Sequence, residues 1–153
     1  MNHKFDITTS ATVAGATWVP ISGINTWEWN EDTNDADVSD FDNAGWNSSF
    51  AVSKAGTLKA EGWYLVDEVT GARNGGQLLA EQAARVLGPT GFRFMRVRAR
   101  DTADTTDIGS ITIQASLKLS QALGGGQDDV MPWGIEAMAQ GRPTGSGIYD
   151  VFD

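Results

Sequence analysis

Apolar and polar residues alternate with period two along most of this chain, and the alternation predicts strands. The cleanest run is GSITIQASLKLS, with Ile111, Ile113, Ala115, Leu117 and Leu119 on one face and Thr112, Gln114, Ser116, Lys118 and Ser120 on the other. In FRFMRVRARD, Met95, Val97 and Ala99 alternate with Arg96, Arg98 and Arg100. Leu58, Ala60, Gly62, Tyr64 and Val66 share a face in TLKAEGWYLVDE, a strand bent at Gly62 and separated by Gly56 from a shorter one, SSFAVSKAG. Upstream, TWVPISGINTWE is rich in Trp, Val, Ile and Thr. Pro20 and Gly23 confine it to an edge or bulged strand, with Trp27 and Trp29 on one side and Glu28 opposite. MPWGIEAMAQ supplies a last strand, after which GRPTGSG leads to a short apolar tail, IYDVF.

One segment changes period. Asn74 is placed as a helix N-cap with Gln77 three residues on, Leu79, Ala83, Val86 and Leu87 follow along one face, and Gly88-Pro89 ends the run. This predicts a single helix over about residues 75–87 in a mainly β fold. Residues 1–16, polar and small apart from Phe5, Ile7 and Val13, read as an N-terminal arm or a weak edge strand. The expected division is an arm at 1–16, a β domain at 17–143 and a C-terminal tail at 144–153. No internal repeat of 20 to 50 residues interrupts this order.

The stretch from Trp27 to Trp46 fits neither period. It holds seven acids, Glu28, Glu31, Asp32, Asp35, Asp37, Asp40 and Asp42, and no base. Fixing about sixteen such residues opposes folding by roughly 16 to 32 kcal/mol of backbone entropy. Inside the run only Val38 and Phe41 are sizeable apolar groups able to offset that. Residues 30–47 are therefore expected to be a long acidic loop that either stays floppy or is ordered by something outside the domain.

Composition narrows the function classes. At 153 residues the chain is most simply one domain, able to bury roughly 68 to 70% of its unfolded surface. It has no cysteine, hence no disulfide framework and no thiolate metal site. The N-terminus lacks a signal-peptide core, and no run approaches the roughly 18 apolar residues of a membrane span, so a cytosolic protein with no membrane partner is expected. A net charge of −9 disfavours tight binding to nucleic acid phosphates, which depends on Lys and Arg displacing counterions. Residues 5–53 carry eight acids and no base, whereas four of the eleven bases fall between Arg93 and Arg100. Contact between unlike patches of two copies is one consequence; a solvated acidic face is the plainer one.

Specific chemistry finds little support. Gly71 and Gly76 have the glycine spacing of a phosphate-binding loop, but Gln77 and Leu78 stand where Lys and Ser or Thr are required. A calcium loop starting at Asp32 has Ala36 at a ligand position, Asp37 where Gly belongs and Asn43 where Glu belongs; starting at Asp35 it has Asp40 and Trp46 at the last two. The one histidine, His3, lies in the expected arm, where a fixed environment tuning its pKa is not anticipated. A pair of carboxylates could serve a glycosidase, yet nothing places one. Trp27 and Trp29 could form a carbohydrate-stacking platform, although core or interface packing is the commoner use of such residues. Arg96, Arg98 and Arg100 are a solvated face or edge protection on the plain reading. Their candidate partners are the acidic loop and Asp101, Asp104 and Asp107, within or between subunits.

The order of parts adds a resemblance. A WVPISGI strand, an acidic DFDNAGW loop, a Gly-punctuated strand pair, one helix opening near GARNGGQ, two further strands and a GGG segment before the last strand resemble the major tail, or tail tube, proteins of long-tailed bacteriophages and prophages. The resemblance runs from about Trp18 to Pro143 and is most telling from Trp18 to Trp46. It implies a β-sandwich or barrel-like fold with one flanking helix and a structural virion protein that is not an enzyme and has no cofactor or metal. It further implies hexameric rings stacked into a tube through which DNA passes without specific binding, and other tail proteins (tape measure, tail tip, tail terminator) as partners. Such a protein is made in the bacterial host cytoplasm and ends in the virion tail. The role of the long loop that reaches the neighbouring ring falls on Asn30 to Asn47. Candidate interface residues are Glu31, Asp32, Asp35, Asp37, Asp40, Phe41, Asp42 and Trp46, with Arg96, Arg98 and Arg100. The runner-up readings are a tube protein of a tail-derived injection or secretion machine and a carbohydrate-binding β-sandwich.

Overall fold

Most inward positions of the alternating runs hold buried apolar side chains, and the strands assemble accordingly; Val66, expected on the face of Leu58 and Ala60, lies past the end of that strand at Trp63 and is 45% exposed. The computed structural model describes residues 2–10, 17–37, 49–67, 69–121 and 131–152, with the backbone alone for 37 and 49–52. Among them lie eight strands: β1 (Asn2–Thr8), β2 (Trp18–Ile21), β3 (Ile24–Asp37), β4 (Ser49–Trp63), β5 (Arg93–Arg100), β6 (Asp107–Gln121), β7 (Pro132–Ala139) and β8 (Thr144–Gly147). One helix, α1 (Gly75–Ala84), and a short 3-10 turn at Pro89–Gly91 separate β4 from β5. The fold is mainly β with one helix.

The strands form one antiparallel sheet in the order β2-β1-β5-β6-β7-β4-β3, with β8 added on β6. Laid flat, β1 and β3 would stand about 24 Å apart at roughly 4.8 Å per strand. Instead the Trp27 ring of β3 lies 5.2 Å from the ring of His3 and 6.1 Å from that of Phe5, both on β1. The sheet has curled until its ends meet, and Ser22 and Gly23 alone join β2 to β3 across the seam. A barrel-like body results from one sheet rather than from two stacked ones. Its interior holds Phe5, Ile7, Leu58, Met95, Val97, Ile113, Trp133 and Ile135, none more than 4% exposed. Each such side chain contributes about 1.5–3 kcal/mol on burial.

Two glycines set the seam and the length of β4. A Cβ on Gly62 would stand 1.9 Å from the Gly23 carbonyl oxygen, so the close backbone crossing there requires glycine. Gly56 does not divide two strands as expected. The Trp29 indole lies over it, where a Cβ would come within 2.3 Å of the ring, and β4 runs on through it for 15 residues.

The helix starts where the sequence predicts, because Asn74 Oδ1 accepts from the Gln77 backbone N–H at 3.1 Å. Its buried face is a correction: Gly76, Gln77, Ala80, Glu81 and Ala83 are buried, while Val86 is 45% and Leu87 94% exposed. The helix ends at Ala84, three residues before the expected 87. Gln77 explains the reversal. Its side-chain amide donates to the Ser22 and Trp63 carbonyls at 2.9 and 2.8 Å and accepts from the Leu65 N–H at 3.1 Å. It closes the orphan backbone groups at the seam, where an apolar side chain would leave them unpaired.

Both chain ends differ from expectation. Asn2–Thr8 is a strand, the second of its two readings, yet not an edge: it is paired on both sides, by β2 and β5, with Phe5, Asp6, Ile7 and Thr8 buried. Thr144–Gly147 pairs with Thr112–Gly109 of β6, and beyond it Tyr149 and Phe152 pack on the core. A run of Thr, Gly and Ser carries no apolar alternation, so only its backbone hydrogen bonds reveal this strand.

Candidate assembly interface

The acidic stretch is, for the part described, strand and not loop. Glu31 to Asp37 continue β3 and pair with Gly56 to Ser49 of β4, through a register break between Asn34 and Asp35. Asp and Asn are poor strand formers, which is why the sequence reads as a loop. The ladder continues because the bases of β3 and β4 are already aligned, and each added residue then gains backbone hydrogen bonds in register. Residues 38–48, the end of the expected loop at 30–47, lie outside the described residues, and with them Asp40, Phe41, Asp42 and Trp46.

This hairpin outruns the body. The next strand, β7, pairs with β4 only from Thr57 to Trp63, so among the described residues Glu31–Asp37 and Ser49–Gly56 form a ribbon with no third strand. At about 3.4 Å per residue, seven residues project roughly 24 Å. Glu31, Asp32, Thr33, Asn34 and Asp35 are exposed, as are Ser53, Lys54 and Ala55 opposite. Among the described residues two side-chain hydrogen bonds tie it: Asn34 Nδ2 to Ser53 Oγ at 3.1 Å and, at its root, Trp29 Nε1 to Glu31 Oε1 at 3.0 Å. Two strands wet on both faces are marginally stable in water.

The arginines lie elsewhere and are taken up within the chain. Asp6, missed by sequence reasoning, is 3% exposed and accepts from Arg96 Nε at 3.1 Å and Arg98 Nε at 2.8 Å. Arg98 and Arg100 also reach Asp107, and Arg100 and Lys4 reach Asp104. The Arg96 guanidinium carbon lies over the Trp18 ring, 4.2 Å from its centroid. Register alone signals this cluster, since Asp6 pairs directly opposite Arg96 across β1 and β5. Asp104 and Asp107 were among the expected partners; Asp101 instead caps its own turn through the Thr105 and Thr106 amides, which hold its carboxyl below the ordinary range. Among the described residues no arginine pairs with an acid of the ribbon.

A second buried carboxylate anchors the helix. Glu81, 3% exposed, accepts from Arg73 at 2.6 Å and from the Trp133 indole at 3.1 Å, with Arg85 at 3.7 Å. Burial pushes its carboxyl up, but the hydrogen bonds from Arg73 and Trp133 and the two cationic charges outweigh that and leave it below its ordinary value.

Trp27 and Trp29 form no open platform. Trp27 meets Phe5 and Tyr149 edge-on at 6.1 and 6.2 Å, and Trp29 meets Phe152 at 5.9 Å, so the C-terminal segment covers both. His3 also differs from expectation: it sits in β1, 3.0 Å from the Tyr149 hydroxyl, and burial lowers its pKa. Among the described residues no group of three or more His, Cys, Asp or Glu is placed to hold a metal ion. No helix among them is long and apolar enough to cross a membrane.

No family model matches the sequence, and no curated protein does. Solved structures do match in fold. A chain of the tail of an empty gene transfer agent particle, refined helically with C6 symmetry, superposes with a TM-score of 0.62 at 10% identity, over 94% of this chain and 95% of that one. A chain of the extended sheath-tube complex of PVC, an extracellular contractile injection system, gives 0.60 at 9%, over 94% and 88%. One from the baseplate of the anti-feeding prophage gives 0.60 at 10%, over 96% and 93%. At these identities the likeness is one of fold.

Proposed function

We propose that this chain is a structural subunit of a tail-type tube, without catalytic activity, and that its acidic ribbon is the arm that binds the next copy. The observation that carries this is the ribbon itself: a two-stranded, water-exposed projection on a fold shared, nearly end to end, with chains of tail and injection particles. A marginal element of that kind gains its order from a partner, and obligate interfaces of roughly 2,000 Å² or more offset the entropy of fixing it.

The finer reading is of hexameric rings stacked into a hollow tube. The C6 symmetry of the gene transfer agent tail and the six-fold symmetry of the anti-feeding prophage baseplate support it. Tape measure, tail tip and terminator proteins would be its other partners, and the virion its destination. The acidic surplus suits a channel that passes DNA without holding it, since a basic lining would bind phosphate through counterion release. Two settings share this role. The gene transfer agent likeness favours a phage-like tail, long-tailed phages among them, and the PVC and anti-feeding prophage likenesses favour an injection machine descended from one.

Electron microscopy of the concentrated protein tests the proposal, with rings or tubes as the expected result. A variant with residues 32–55 replaced by an Asn-Gly turn joins Glu31 to Gly56 in their native register. It should keep the circular dichroism of a folded β body and form no tubes. Tubes like those of the full chain would contradict the role given to the ribbon.

A further inference from the structure

The ribbon does not leave the body flush. Where it parts from β7 it opens a wedge of about 730 Å³, walled by Trp29 over Gly56 on one side and by Arg142, Pro143 and Phe152 on the other. Lys54 and Glu31 line it from the ribbon, Glu31 being held by the Trp29 indole N–H, and Phe152 holds Arg142 through its carbonyl oxygen. Among the described residues, seven of the chain's eleven basic residues are ion-paired with an acid of the same chain. Of the other four, Lys54 and Arg142 both line this wedge, and among the described residues neither has a carboxylate within ion-pair distance.

We propose that this wedge is the socket for the acidic ribbon of a second copy of the chain. The inference rests on the self-assembly reading above and names the surface the ribbon meets. Asp32 and Asp35 supply the complement: both are exposed, and neither is ion-paired among the described residues. Of the chain's own ribbon only the root, Glu31 and residues 54–56, lines the wedge, because the antiparallel ladder holds the strand straight and carries Asp35 about 14 Å beyond Glu31. In a neighbouring copy the same two carboxylates can reach Lys54 and Arg142, with their backbone against the Trp29 and Phe152 rings. The plug is the outer part of the ribbon, whereas the socket joins the ribbon's root to Arg142, Pro143 and Phe152, so the two patches coincide only in part; the contact is heterologous and repeats from copy to copy, closing a ring where the rotation allows. Opposite charges at such a contact fix the register of docking and speed the encounter.

A charge swap on the full-length protein tests this, read by light scattering and electron microscopy. Lys54→Glu/Arg142→Glu should raise the concentration needed for assembly at least tenfold with an unchanged circular dichroism spectrum. Arg142→Glu alone, outside the ribbon, should raise it in the same direction. A 1:1 mixture of the socket variant with Asp32→Lys/Asp35→Lys should assemble where each alone does not, since the two kinds of copy then alternate. If the socket variant assembles like wild type while the ribbon-deleted chain does not, the socket is wrong and the tube reading stands. If wild type itself stays monomeric at millimolar concentration, both fall.

Discussion

The body and the ribbon of this protein treat their charges in opposite ways. In the body, Asp6 and Glu81 are each 3% exposed, and each is met by two arginines of the same chain. On the ribbon, Asp32 and Asp35 stand in water with no cation at ion-pair distance among the described residues. A carboxylate taken out of water must be matched where it sits, because an unpaired buried charge is strongly unfavourable. Exposed charges carry no such requirement and contribute little to folding. Charge is thus committed to the fold in one region and left available to a second molecule in the other.

The contrast is most open to attack at Asp6. Asp6→Ala leaves Arg96 and Arg98 side by side without their shared acceptor, and should lower stability in urea by about 3 kcal/mol. A loss below about 0.5 kcal/mol would put body and ribbon on one footing. Glu81→Gln should lower it by about 2 kcal/mol at neutral pH, the range of hydrogen bonds to a charged group. Its pH dependence is the sharper signature. The folded carboxyl titrates below its unfolded value of about 4.5, so its stabilisation is present above that pH and is lost as pH falls through the folded value. Melting temperatures of wild type and Glu81→Gln should therefore converge on acidification; a gap that stays constant would remove the charge from the explanation. The smallest effect belongs to the ribbon. Asp32→Asn/Asp35→Asn should change monomer stability by no more than about 0.5 kcal/mol while weakening self-association, and a large loss of monomer stability would mean that the ribbon folds the body.

What the sequence made legible follows from period and capping. The inward residues of β5 and β6 and the Asn74 cap are local signals, and the structure keeps them: Met95, Val97, Ile113 and Ala115 are no more than 2% exposed. What stayed hidden depends on partners distant in sequence. Asp6 looked like an arm residue because its arginines lie 90 and 92 positions away. Gln77 looked like a capping-box residue, yet its amide closes the seam between β2, β3 and the end of β4. β8 has almost no side-chain signal, and the ribbon has the wrong propensity; both exist because a neighbouring strand offers a ladder. The arginines of β5 were legible as charges, and the ribbon acids as an excess, but that the two do not meet among the described residues is a fact of topology.

Amide hydrogen exchange of the ribbon in dilute and in assembled protein tests the central claim most directly. If the ribbon is an arm completed by another copy, the amides of residues 31–37 and 49–56 exchange fast in the dilute monomer, faster than those of β5 and β6, and become protected on assembly. Equal, strong protection in the dilute monomer, or no gain on assembly, would contradict it.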